Sequence, residues 1–348
     1  MRLVRQSFLL VITLSLFLFF ACEEKPGARS SSSGDAGPAL TQDLSPAYGD
    51  AIVNGSIGDA STFIPALASD SASRSIIGLV YNGLVKYDKD LKLTGDLAES
   101  WDISPDGLTI TFHLHQEVKW HDGAPFTAKD VMFTYKLMID PKTPTAYGED
   151  FKQVKKAEIV DDYTFRVTYP RAFAPALSSW GFSIMPAHLM EGKDITTIEL
   201  ARDPVGTGPY MFKEWQTGQR IVLEANPNYF EGRPYITRYV TRIIPDLATM
   251  FLELRSGGID QMSLTPIQFK RQTKAMDFEK NFRKYRYLAF SYVYLGFNLL
   301  DPKFKDKRVR QAIAYAIDKN EIIEGVFWAW AVRPTVLTNP ATGPTTKR

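Results

Sequence analysis

The pattern that most restricts the fold of this chain is a strict alternation between residues 108 and 115. Apolar and polar side chains take turns along it, as Leu108, Ile110, Phe112 and Leu114 against Thr109, Thr111, His113 and His115. Period-two alternation predicts a β-strand with one buried face. The Pro105-Asp106-Gly107 run just before it is typical of a tight turn, so a hairpin is expected here.

Two further stretches carry the same kind of signal. Alternation from Tyr163 to Tyr169 follows an Asp161-Asp162 turn, and Thr217-Gly218 separates two more strand-like runs. Short alternating runs bounded by turn residues predict antiparallel hairpins.

Helix signals are interspersed with these strands. Thr127 begins a capping-box sequence, and Asp246 can cap a helix whose apolar stripe ends at Gly257-Gly258. The extended run before that helix and the residues after it predict a strand–helix–strand unit. Asp306 and Asp318 begin two more helical patterns. This order predicts an α/β protein with several antiparallel hairpins rather than one doubly wound sheet.

Composition excludes several classes of protein. Of the 348 residues 45% are hydrophobic, enough for a sizeable core, and the formal net charge is +2. Two arginines lie in an N-terminal segment that we expect to be removed, which leaves a net charge of zero. A neutral chain gives no reason to propose nucleic acid or an acidic membrane surface as the main partner. The single cysteine excludes an intrachain disulfide.

The N-terminus predicts export. After a basic start, residues 8–21 carry no charge and are too few to span a bilayer as a helix, so residues 1–21 are expected to be a signal peptide. The run ends at Ala21-Cys22, which resembles a bacterial lipoprotein cleavage site with Cys22 as the lipidated residue. Phe19 and Phe20 depart from that pattern, so an ordinary signal peptide or an uncleaved anchor stays open. Residues 22–46, rich in Ser, Gly and Pro, predict a flexible tether.

Three histidines invite a metal-site interpretation. His113 and His115 share one strand face, and His121 lies a turn away. The opposite face of that strand is apolar, so the first two are expected to face solvent. We therefore predict no metal site and no cofactor.

Catalytic alternatives are weak. Gly206-Thr207-Gly208 has no Gly-Lys-Ser/Thr ending, and Pro209 leads from it into a strand, so a nucleotide loop is not expected. The chain has no Gly-x-Ser-x-Gly elbow, and His188 lies in an apolar stretch, so a hydrolase is not expected either. The chain is predicted not to be an enzyme.

A cluster of basic residues follows in the second half of the chain. A membrane-surface patch, a solvated face and a docking surface for a permease are all compatible with it, and a solvated face is favoured. The cluster consists of Lys270, Arg271, Lys274, Lys280, Arg283, Lys284 and Arg286.

Three long segments resemble one known family. Residues 98–135 combine a tryptophan hairpin, a His121-Asp122-Gly123 turn and a capped helix, residues 206–234 contain Gly-Thr-Gly-Pro-Tyr, and residues 306–323 complete the set. Their order resembles the bacterial extracellular solute-binding protein family 5, the peptide- and nickel-binding proteins of ABC importers. Residues 81–84 add a weaker match, with Asn82 where the family has glutamate.

The resemblance implies a two-lobed, periplasmic binding protein type II-like fold of the α/β class. Residues 47–85 and 205–290 would form the core domain of lobe one, and residues 86–204 a peripheral domain inserted in it. Residues 291–348 would begin lobe two, which we expect to be truncated and incomplete because family members are longer.

The resemblance also implies a function. The chain would capture oligopeptides between its lobes and deliver them to an ABC permease, as a monomer held by its lipid in the periplasm or at the cell surface. Binding of nickel or another small solute stays open, as does a truncated relic that does not transport. Candidate ligand contacts are Tyr81, Asn82, Trp180, Phe297 and Asn298, with core packing as the alternative for each.

Overall fold

The computed structural model of the chain describes residues 46–274, 276–286 and 293–327. The predicted signal peptide, Cys22 and all of the predicted tether except Pro46 lie outside the described residues. Within the described ranges, no helix is both long enough and apolar enough to cross a membrane.

The strands form two four-stranded sheets and a small two-stranded one. Their bounds are β1 Gly49–Ser56, β2 Val85–Tyr87, β3 Leu93–Gly95, β4 Ala98–Ile103, β5 Thr109–Leu114, β6 Lys156–Asp161, β7 Thr164–Thr168, β8 Tyr210–Gln216, β9 Arg220–Ala225 and β10 Ile236–Ile243. The first sheet has the order β1-β10-β9-β8, the second pairs β2 with β3, and the third has the order β4-β5-β7-β6. β1 runs parallel to β10, and the other pairs are antiparallel.

The predicted hairpins are confirmed. Asp106 accepts a hydrogen bond from the Leu108 amide, and Gly107 takes a φ of 70°, so the chain reverses between β4 and β5. Asp161 accepts from the Tyr163 amide in the turn from β6 to β7. Gly218, with a φ of 72°, lies in the turn from β8 to β9. In each turn the reversal is fixed by a glycine at positive φ, by a short aspartate side chain that accepts a backbone hydrogen bond, or by both.

Four of the described helices begin at the capping residues that the sequence predicted. The bounds of the helices are α1 Ser71–Val80, α2 Ala128–Ile139, α3 Ala187–Met190, α4 Leu247–Ser256, α5 Met276–Asn281, α6 Pro302–Lys305, α7 Lys307–Ala316 and α8 Lys319–Glu321. The capping box at Thr127 is complete, and Asp246 accepts from the Thr249 amide at the start of α4. Asp306 and Asp318 cap α7 and α8.

The predicted strand–helix–strand unit is only partly present. β10 and α4 form as predicted, and α4 ends at Gly257 with a φ of 78°. After it, Gln261 makes a single parallel bridge to Asn54 instead of a strand. The Asp260 side chain accepts from the Val53 amide. A carboxylate oxygen therefore takes the hydrogen bond that a backbone carbonyl would accept in a regular strand ladder.

One continuous hydrophobic core joins the two four-stranded sheets. Phe63, α1 and the inner face of β9 pack in the same cluster as β5, α2 and β7. A smaller cluster lies under α4, where Met250, Phe251 and Leu254 meet Ile259 and Phe278. The apolar stripe of α7 is different, because no residue described in 293–327 is buried.

Candidate functional site

Four motif segments meet at one place in the structure. We call this meeting point the junction. It consists of the end of α1 with the residues after it (80–84), the turn at 120–123, and the loops 206–209 and 226–231. Gly208 donates its amide to the Val80 carbonyl (2.8 Å), and the His121 amide donates to the Gly206 carbonyl (2.8 Å). Parts of three segments that carry the family resemblance, 81–84, 98–135 and 206–234, are therefore neighbours in space although they are far apart in sequence.

The glycines of the 206–208 loop are required by close approach. A Cβ on Gly206 would lie 1.8 Å from the Val80 carbonyl oxygen, and one on Gly208 would lie 2.5 Å from that of Leu79. Contacts this short exclude any side chain. The Gly208 amide is already bonded to Val80, so this loop serves packing against α1.

His121 connects the turn to that loop through both ring nitrogens. Nδ1 accepts from the Gly206 amide (3.2 Å), and Nε2 donates to the Gly208 carbonyl (3.0 Å). Burial lowers the pKa of His121, opposed by the bond to Gly208 and by the nearby Asp122 carboxylate. The imidazole is thus held neutral with its proton on Nε2, and neither nitrogen is left for a metal ion.

The other histidines have separate partners. His113 lies 2.8 Å from Asp102 with 44% of its side chain exposed, and His188 lies 2.8 Å from Asp122. His115 packs against the Phe230 ring. Among the residues that the structure describes, no three His, Cys, Asp or Glu side chains are grouped as metal ligands.

Asn82 lies at the centre of a buried polar cluster. Its Nδ2 donates to Asp96 Oδ1 (2.9 Å) and to the Tyr229 hydroxyl (3.2 Å), and its Oδ1 accepts from the Thr207 hydroxyl (3.0 Å). The second oxygen of Asp96 accepts from the Gly83 amide (3.2 Å). Both ends of the carboxamide are therefore bonded, and they join the residue after β3, the 206–208 loop and the 226–231 loop.

Charged groups close the cluster on its exposed side. Lys86 Nζ lies 3.5 Å from Asp96 and also pairs with Glu231, which in turn accepts from Tyr229. Burial raises the pKa of Asp96, Lys86 opposes this shift, and Glu231 adds to it. Burial likewise raises the pKa of Tyr229. The cluster can hold and orient polar groups. The charges of Lys86, Asp96 and Glu231 already neutralise one another in part.

Two of the other predicted contacts approach the same place from inside the core. Tyr81 is 4% exposed, and burial raises its pKa, with Asp203 adding to the shift. The Trp180 carbonyl accepts from the Leu84 amide (2.7 Å), so the 3-10 turn Ser178–Gly181 runs beside residues 81–84. The Trp180 side chain is fully buried and donates its N–H to the Tyr169 hydroxyl (3.1 Å).

Phe297 and Asn298 lie in the later part of the chain. The Phe297 ring contacts Phe304 at 5.4 Å between centroids. The Asn298 side chain is exposed and accepts from the Leu300 amide (3.1 Å). The contacts described for these two side chains are therefore local.

Sequence reasoning missed several members of the cluster. Thr207 and Tyr229 lie inside motifs that the sequence analysis identified. They could have been assigned to the cluster by assuming that the side chains of different motifs contact one another. Asp96 and Glu231 carried no pattern of their own. Their positions follow from the β2–β3 hairpin and the 226–231 loop, whose approach is a long-range feature of the fold.

Comparison with known proteins covers most of the chain. Residues 92–346 match the model of a family described as bacterial extracellular solute-binding proteins, family 5 middle. The oligopeptide-binding protein AppA of Bacillus subtilis is 34% identical over 324 residues, which are 91% of this chain and 57% of that protein. The chain spans about half the length of the curated relatives it matches.

Solved structures agree with this assignment. AppA in complex with a nonapeptide superposes with a TM-score of 0.73 and 34% identity, covering 80% of this chain and 56% of that one. NikZ from Campylobacter jejuni in complex with Ni(L-His) gives the same TM-score at 30% identity, with coverage of 80% and 56%. The similarity thus extends to one protein whose structure contains a peptide and to another whose structure contains a nickel complex.

Proposed function

Because the chain belongs to the bacterial extracellular solute-binding proteins, family 5, we propose that it is the substrate-binding component of an ABC importer and that it captures oligopeptides. Its fold is the α/β, type II-like fold of periplasmic binding proteins over the region of similarity. The observation that carries the proposal is the match to an oligopeptide-binding protein along nine-tenths of this chain.

The chemistry of the junction supports binding rather than catalysis. The polar side chains of the cluster are paired with one another, and His121 is tied to two backbone groups. General base catalysis needs a base directed at a nucleophile or at substrate. The neutral imidazole of His121 is committed to holding a loop, which suits a rigid wall better than a reaction centre.

We propose that the candidate ligand residues act in two different ways. Phe297 and Asn298, which are not buried, are the direct contacts. Asn82 and Trp180 act beneath the surface, because their polar atoms are already bonded to Asp96 and Tyr169. Tyr81 fills the same inner layer.

The remaining parts of the proposal follow from the family. Residues 47–85 with 205–290 form a core domain, residues 86–204 a peripheral domain, and residues 291–348 belong to a second lobe that closes on the ligand by a hinge. The protein works outside the cytoplasmic membrane, attached by lipid on Cys22, as a monomer that meets the permease of its importer.

Nickel in complex with a small chelating ligand is the second candidate substrate. It is favoured by the similarity to NikZ, which is as close in TM-score as that to AppA. The junction does not supply imidazole ligands for it, since both ring nitrogens of His121 are bonded to backbone.

Titration calorimetry separates the two candidates. The protein, purified at the length that its cells make and freed of bound solute by reversible unfolding, is titrated with a pool of short peptides and separately with the nickel–histidine complex. We expect heat from the peptides and none from nickel–histidine. Heat from nickel–histidine alone, or no heat from peptides, overturns the proposal.

A further inference from the structure

The neutral charge of the chain conceals a strong separation. In residues 22–266, Asp and Glu outnumber Lys and Arg by nine, whereas residues 267–286 contain seven Lys and Arg against two acids. Residues 267–286 thus carry a local excess of five positive charges, and the part of the chain before them is acidic. This separation of charge produces an electrostatic field whose positive end lies at residues 267–286. The proposed capture of peptides does not account for this asymmetry.

The basic side chains of this stretch lie on one folded part of the protein. We call them the basic patch. Its exposed members are Arg271, Lys274, Lys280, Arg283 and Arg286, and its half-exposed members are Lys270 and Lys284. Glu279, one of the two acids, pairs with Lys284 (3.2 Å), which also donates to the Thr273 carbonyl (3.1 Å).

The inner side of the same segment is fixed to α4. Phe278 is 5% exposed and stacks on Phe251 with centroids 6.0 Å apart, and the Phe282 ring lies 4.7 Å from Phe278. Gln268 donates to the Leu247 carbonyl (3.0 Å). The basic patch is therefore the outer surface of a packed segment.

Apolar side chains stand among the charges. Tyr285 is 75% exposed and Ile267 is 44% exposed. An exposed tyrosine and an aliphatic residue interspersed with lysines and arginines have the composition of surfaces that lie at the boundary between headgroups and acyl chains.

We propose that the basic patch docks on the surface of an anionic membrane. Each lysine or arginine brought to an anionic leaflet strengthens binding by roughly fivefold, within about a Debye length of the surface. Lys and Arg side chains spread over an exposed segment suit a fluid layer of headgroups, whereas a protein partner would require a fixed complementary shape. The docking does not require the lipid on Cys22, and it would orient the protein on the membrane that holds it.

Vesicle co-sedimentation tests this with the full chain. Binding is measured to vesicles of phosphatidylcholine alone and to vesicles that also contain phosphatidylglycerol, at low ionic strength and at about 0.5 M salt. The ratio of anionic to neutral binding is the readout, because the apolar segment 8–21 would bind both kinds of vesicle alike. We expect a ratio of at least about tenfold that falls at high salt.

A charge-reversal variant locates the effect. Lys274→Glu, Lys280→Glu and Arg283→Glu are combined, and the matched control combines Lys152→Glu, Lys155→Glu and Lys156→Glu, which changes the net charge equally at three exposed lysines elsewhere. Circular dichroism checks that both variants fold.

The patch variant should lose the preference for anionic vesicles, and the control should keep most of it. Equal loss in both variants would overturn the proposal, because net charge alone would then explain the binding. Equal binding of the original chain to both kinds of vesicle would also overturn it, and would leave an acidic protein surface as the occupant to examine.

Discussion

Replacing His121 with alanine tests whether one imidazole holds the junction together. The ring accepts from the Gly206 amide and donates to the Gly208 carbonyl. Alanine removes both bonds. The Gly206 amide loses its imidazole partner, whereas the Gly208 carbonyl keeps a hydrogen bond from Asn226 Nδ2 (3.2 Å). A polar group that loses its partner in a buried place costs about 1–3 kcal/mol. His121 is partly buried, so water replaces some of the loss at the Gly206 amide, and we expect the free energy of unfolding to fall by about 1–2 kcal/mol.

The same variant should change how stability depends on pH. Burial holds the pKa of His121 below its usual value in the folded chain. Below the ordinary histidine pKa of about 6.5, the unfolded chain therefore binds more protons, and stability falls as the pH falls, with a limiting slope of about 1.4 kcal/mol per pH unit. The variant lacks this contribution. The difference in stability between the two chains should be largest near pH 8 and should shrink toward about pH 5.

Urea unfolding followed by circular dichroism, repeated at about pH 8 and about pH 5, measures both effects. His113→Ala is the matched control, because His113 is 44% exposed and pairs with Asp102 on the surface, where such a pair contributes about 0–1 kcal/mol. A loss below about 0.5 kcal/mol in His121→Ala at the higher pH, or a loss equal to that of the control, would refute the reasoning.

Three further predictions use the same unfolding assay. Gly206→Ala places a Cβ 1.8 Å from the Val80 carbonyl and should destabilise by about 3 kcal/mol or more, whereas Gly78→Ala, in α1 with open space around it, should stabilise by about 0.5–1 kcal/mol. Asn82→Asp sets a second carboxylate beside that of Asp96, so stability should fall, and fall further as the pH rises from about 5 to 8. Trp180→Phe removes the hydrogen bond to the Tyr169 hydroxyl, so the free energy of unfolding should fall by about 1–2 kcal/mol while peptide affinity changes less than about twofold. Unchanged stability with lost peptide affinity would instead show that Trp180 contacts the ligand directly.

Local chemistry made much of the fold predictable. The capping box at Thr127 and the caps at Asp246 and Asp306 depend on residues within one helical turn, so their sequence signals were sufficient. The turn at Gly107 and the alternation in β5 are similarly local. Antiparallel hairpins follow from such signals because their strands are neighbours in sequence.

The features that the sequence did not reveal depend on distant segments. Gln261 forms a bridge instead of a strand because the Asp260 carboxylate takes the Val53 amide, about two hundred residues away in sequence. The bond from Thr207 to Asn82 likewise joins positions whose approach no local pattern encodes. The motifs identified the segments of the junction, but only the structure showed which atoms meet there.

The central claim, capture of oligopeptides, is tested most directly by identifying what the protein carries when it is purified without unfolding from the cells that make it. Native mass spectrometry, followed by release and sequencing of the bound species, gives the answer. The account predicts a set of short peptides with varied side chains, each bound as a single copy per chain. A bound species with the isotope pattern of nickel, a single non-peptide solute, or a chain that carries nothing and takes up no peptide on addition would contradict it.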